Sequence, residues 1–99
     1  MILPQSGGDV MTNKYHTIML CGGQSMMLNP SVRPTISMDD ACRILKDSVL
    51  RSSKDMIEFM YRDVKITVYP NGSIMFYHFT DFDTACVYAD EIIDRLTER

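Results

Sequence analysis

The sequence predicts an α+β two-layer sandwich in which a four-stranded antiparallel sheet, strand order 1-4-3-2, carries two helices on one face. The expected chain order is β-α-β-β-β-α. Three observations carry this expectation. Asn71-Gly72 lies between two alternating β-rich runs, and apolar residues from Phe82 to Leu96 recur at three- and four-residue steps. A shorter stripe of the same period begins at Met38.

In chain order, residues 1–13, which open with Met-Ile-Leu-Pro-Gln-Ser-Gly-Gly, read as a frayed tail, and 14–99 as a single domain. Tyr15 to Cys21 predicts a first strand ended by Gly22-Gly23. Its alternation is poor, which suits either a strand buried on both sides or a loop. Asn29-Pro30 and Arg33-Pro34 predict a loop over 24–35, with Met26, Met27 and Leu28 tucked beneath something. Ser37 with Asp40 is a capping-box pattern, and Ile36 is placed to staple against Ala41. Met38, Ala41, Cys42, Leu45 and Val49 then predict a helix from Met38 to about Leu50, with Arg51 to Asp55 as its linker to the sheet.

Met56 to Tyr61 alternates with period two, as do the runs on either side of Asn71-Gly72. A two-residue type I′ turn at Asn71-Gly72 pairs Tyr69 with Ile74, Val68 with Met75, Ile66 with Tyr77 and Val64 with Phe79. A turn at Arg62-Asp63, an unfavoured tight-turn pair that suggests a longer loop or bulge, puts Ile57, Phe59 and Tyr61 on the same apolar face. The last helix begins near Thr80, where Thr80 and Asp83 resemble a capping box. Its stripe of Phe82, Ala85, Cys86, Ala89, Ile92, Ile93 and Leu96 should cover that face.

The other face should then be open. It would carry Glu58, Met60, Lys65, Thr67, Tyr69, Ile74, Phe76 and His78, the candidate binding residues. An apolar patch on so small a domain points to an interface, unless the amino-terminal segment or the Met26-Met27-Leu28 loop folds over it.

At 99 residues with a formal net charge of -3, the chain is long enough for one core, and no run approaches a membrane span. Three cysteines at unrelated spacings do not make a disulfide framework. Without a signal-peptide pattern at the start, they suit a reducing, cytoplasmic compartment.

The run Lys65-Ile-Thr-Val-Tyr-Pro-Asn-Gly-Ser-Ile-Met-Phe, followed by an acidic-started, Ala-containing helix, resembles one half of the TATA-binding protein saddle. Small archaeal proteins with a sandwich of that kind are similar. The resemblance implies the fold of one repeat and, for a two-fold pair, a reconstruction of the saddle from identical chains. It does not extend to DNA bending, because Ser73 replaces the basic residue after the turn glycine and, of the family's paired phenylalanines, the open face offers only Phe76, in mid-strand.

These features predict a non-catalytic binding or assembly domain that self-associates or docks a protein, without cofactor. Nucleic-acid binding through the same face is the alternative, weakened because its one certain cation, Lys65, sits beside Glu58 while residues 81–99 hold six acids against Arg95 and Arg99. A thiol enzyme using Cys21 and His16 comes third. No catalytic residue is assigned. No metal ligand set is assigned either, since Cys-x-x-Cys and His-x3-His spacings are absent, and Gly22-Gly23-Gln-Ser lacks the lysine and following helix of a phosphate loop.

Overall fold

A computed structural model of the protein describes residues 15–20 and 24–97. Its strands are β1 (Tyr15–Met19), β2 (Met26–Pro30), β3 (Val49–Ser52), β4 (Ile57–Tyr61), β5 (Val64–Val68) and β6 (Ile74–Phe76). The helices are α1 (Met38–Leu45), continued by a 3-10 turn over Lys46–Ser48, and α2 (Phe82–Thr97). The α+β class, the antiparallel sheet and the two helices agree with the expectation. The sheet, however, has six strands in the order β1-β2-β6-β5-β4-β3, not four in the order 1-4-3-2. The expected tail over 1–13 and the strand end at Cys21 to Gly23 lie outside the described residues.

The first unexpected strand is β2, in the stretch expected to be a loop. Met26 and Leu28 face the core, while Met27 and Asn29 alternate to the other side. Pro30 is tolerated because it ends the strand, two residues past Leu28, the last residue paired with β6. β2 thus separates β1 from β6, which the expected order made neighbours.

The second is β3. Helix α1 stops at Leu45 instead of about Leu50, because Lys46 takes a positive φ of 36° and its N–H turns back to the Cys42 carbonyl. Val49 to Ser52 then pairs with β4 through a register shift between Val49 and Arg51. The start of α1 agrees with the sequence: the Asp40 N–H donates to Ser37 Oγ at 3.2 Å, and Ile36 and Ala41 are both buried. At α2 the cap is Asp81, not Thr80. Its carbonyl accepts from the Ala85 N–H at 2.9 Å, and its carboxylate accepts from the Thr84 N–H and hydroxyl.

The decisive difference lies in the β5–β6 hairpin. Ile66 pairs with Phe76, Thr67 with Met75 and Val68 with Ile74, one residue away from the expected register. Only Gly72 has positive φ in the turn, and the Gly72 N–H donates to the Tyr69 carbonyl at 2.9 Å. This is a type I turn with Pro70 in its favoured second place, followed by a left-handed glycine, not a type I′ turn on Asn71-Gly72. Proline decides between them. The type I′ register would make Pro70 and Ser73 the closing hydrogen-bonded pair, and Pro70 has no N–H to give. The chain instead closes on Tyr69, whose N–H donates to the Ser73 carbonyl at 3.0 Å.

A one-residue slip moves every side chain of a strand to the opposite face. Ile74 and Phe76, expected on the open face, are therefore completely buried in the core with Ile57, Phe59, Ile66 and Val68. Met75 and Tyr77, expected in the core, lie on the other side. The β4–β5 turn at Arg62-Asp63 is tight after all, with positive φ at both residues (49° and 68°), as a type I′ turn requires. Both helices pack on the face carrying Phe59 and Phe76, through Met38, Ala41 and Leu45 of α1 and Ala85, Ala89, Ile92 and Leu96 of α2.

Candidate binding face of the sheet

The face away from the helices is built by alternation from strands β1 to β6. β1 contributes His16 and Ile18, and β2 contributes Met27 and Asn29. β3 contributes Arg51, β4 contributes Glu58 and Met60, and the β5–β6 hairpin contributes Lys65, Thr67, Tyr69, Ser73, Met75 and Tyr77. Of the eight residues expected here, Glu58, Met60, Lys65, Thr67 and Tyr69 are present. Ile74 and Phe76 are in the core. His78 is exposed in a turn beyond β6, with positive φ (54°) and its N–H donating to Ser25 Oγ at 3.2 Å; Tyr77, not His78, stands opposite Lys65. Met26 and Leu28 do not fold over the face, since they point into the core.

Charge on this face is layered. The Glu58 carboxylate is nearly buried and takes Arg51 Nε on one oxygen at 2.9 Å and Lys65 Nζ on the other at 3.4 Å. Burial alone would raise its pKa. The Arg51 hydrogen bond and charge, then those of Lys65, outweigh burial and hold it below the ordinary carboxylate value. Arg51 and Lys65 remain largely exposed above it, so the outer layer of charge on the strands is cationic. Lys65 Nζ also lies 4.9 Å from the centre of the Tyr77 ring, and the Tyr77 hydroxyl is 3.1 Å from Thr67 Oγ1. Around this network, Met27 and Met75 are half-buried and Met60 is exposed, which makes a broad sulfur and tyrosine surface.

No family model, curated protein or solved structure matches the chain.

Of the pair expected to serve a thiol enzyme, His16 is exposed on β1, and Cys21 lies outside the described residues. Cys86 is buried in the core, and Cys42 Sγ sits 3.8 Å from Ser52 Oγ. Among the described residues no helix is long and apolar enough to cross a membrane.

Sequence reasoning missed Arg51, Met27, Asn29, Met75 and Tyr77. The signal for β2 is present in Met26-Met27-Leu28-Asn29-Pro30, whose buried residues alternate, but two prolines nearby mask it. The signal for Tyr77 is Pro70, which forbids the register that would bury that ring.

Proposed function

We propose that the protein is a binding module that docks an acidic, partly apolar segment of another protein on its open sheet face. The observation that carries this reading is the make-up of the face: three methionines and two tyrosines around an exposed Arg51 and Lys65, with Glu58 sunk beneath those two cations. Tyrosine, methionine and arginine are the residue types enriched at protein interfaces. A second copy docked face to face would bring together two surfaces whose strands expose the same cations, Arg51 and Lys65. Charge therefore favours a foreign acidic partner over self-association.

Peptides selected from a random display library test the reading, with the methionine methyl groups labelled for NMR. Bound peptides should be rich in Asp and Glu beside aliphatic or aromatic residues. They should shift the Met27, Met60 and Met75 methyl signals while leaving buried Met26 in place. Tyr77→Ala should weaken them about tenfold or more, in the range of an interface anchor. Peptides that bind without moving those three methyls would refute the reading. If oligonucleotides at low salt move the same methyls more strongly than any peptide, the face belongs to nucleic acid. If the free protein runs at twice its mass at micromolar concentration, it belongs to a second copy.

A further inference from the structure

At the turn end of the open face, a shallow depression of about 510 Å³ lies between Met27 and Asn29 of β2, Arg33 and the β5–β6 turn. The stretch that holds Arg33 is tied to the turn. The Ile36 N–H donates to the Pro70 carbonyl at 2.9 Å, and Gly72 lies so close that a Cβ there would fall 2.6 Å from Pro34 Cδ.

Ser73 sorts the polar groups of this depression. Its N–H donates to Asn71 Oδ1 at 3.0 Å, its hydroxyl donates to Asn29 Oδ1 at 2.6 Å, and that hydroxyl accepts from an Arg33 terminal nitrogen at 3.5 Å. A backbone N–H can only donate, so the Asn71 amide must present its oxygen to Ser73 and turn its NH₂ away from it. Asn29 Oδ1 likewise accepts from Ser73. Each amide oxygen is thus engaged by Ser73, and the lining residues offer donors beside it: the two amide NH₂ groups and the guanidinium of Arg33. None of the ion pairs formed among the described residues includes Arg33. Met27 and Pro70 add apolar surface beside these donors.

We infer that this depression binds a carboxylate attached to an apolar group, with Arg33 as the charged partner and Asn29 and Asn71 as neutral donors. A planar guanidinium flanked by amides matches a carboxylate's two in-plane oxygens better than it matches any neutral acceptor. The inference deepens the docking reading: the carboxylate would be an acidic side chain, or the chain terminus, of the docked segment.

The test is NMR titration of ¹⁵N-labelled protein with three probes: acetyl-Phe-Glu-amide, acetyl-Phe with a free carboxylate, and acetyl-Phe-Gln-amide. The side-chain NH₂ signals of Asn29 and Asn71 and the Arg33 Nε–H signal should move saturably with at least one acidic probe. The neutral probe should bind at least tenfold more weakly. The tighter acidic probe identifies side chain or terminus as the source. Arg33→Gln, an exposed change, should leave the backbone spectrum in place and abolish the preference for acid. Equal binding of the neutral probe, an unchanged preference in Arg33→Gln, or no movement of the three signals would each overturn the inference. Failure of the broader docking reading looks different: acid preference would survive here while selected peptides left the Met60 and Met75 methyls unmoved.

Discussion

Gly72 shows how much of this molecule rests on single backbone positions. Its φ is +92°, and a side chain there would meet Pro34 at 2.6 Å and Pro30 at 3.1 Å. Gly72→Ala therefore combines a disfavoured conformation with a clash against rigid proline rings. It should destabilise the fold by about 2 kcal/mol or more, read as a fall in the urea midpoint. The same logic runs the other way at Asp63, whose positive φ glycine would tolerate better: Asp63→Gly should gain about 0.5–1 kcal/mol. A neutral or stabilising Gly72→Ala would show that the β5–β6 turn is not held as described.

Glu58 carries the acid sensitivity. Its folded pKa is lowered from the ordinary 4.5, against the opposing effect of burial, by Arg51 and then Lys65. A carboxyl whose folded pKa is depressed adds stability that is fully present above its unfolded pKa and is lost as pH falls through the folded value. Unfolding midpoints should thus hold steady above about pH 5 and decline below 4.5, with that decline reduced in Glu58→Gln. If the variant kept the parent's full acid slope, the pairing with Arg51 and Lys65 would contribute nothing.

At the scale of elements, the register of one hairpin decides which side chains reach the open face. Phe76 is fully buried and stacks 5.9 Å from Phe79, which stacks in turn 5.9 Å from Tyr88 of α2. Phe76→Ala should cost about 3–5 kcal/mol, as truncation of a core aromatic does, whereas Tyr77→Ala should cost roughly 1 kcal/mol or less. The opposite ranking would restore the Asn71-Gly72 register. This pair also marks the boundary of what the sequence could disclose. Alternation within β4 and β5, the α2 stripe and the Ser37 cap could be read directly, because each depends on neighbours along the chain. The face of β6 could not be read from alternation, because both registers give a regular pattern and only the missing N–H of Pro70 separates them. The expected site kept Glu58, Met60, Lys65, Thr67 and Tyr69, all anchored by β4 and β5, and lost Ile74, Phe76 and His78, which all depend on that turn. β2 and β3 escaped because pairing partners distant in sequence, not local propensity, make them strands.

Across the whole molecule, charge is divided between the two layers. Among the described residues the exposed charges of the sheet-face strands are Arg51 and Lys65, with Arg33 at one rim and Asp63 beside Lys65 at the β4–β5 turn, while α2 carries Asp83, Asp90, Glu91 and Asp94 against Arg95. Arg62 at the β4–β5 turn is drawn toward the helix side, 3.3 Å from Glu91 and over the rings of Tyr61 and Tyr88, so it adds nothing to the open face. An acidic partner of the proposed kind would be oriented before contact by such an arrangement, since the far side repels what the near side attracts. Charges this exposed act over about one Debye length, which shrinks from about 30 Å at 0.01 M salt to about 8 Å at 0.15 M. Stopped-flow association of a selected acidic peptide should therefore slow several-fold across that salt range, while dissociation, governed by the methionine and tyrosine contacts, changes little. Arg33→Gln should flatten part of that salt dependence, and adding an acid by Asn71→Asp should slow association further. An association rate indifferent to salt would mean that the division of charge has no part in how a partner arrives.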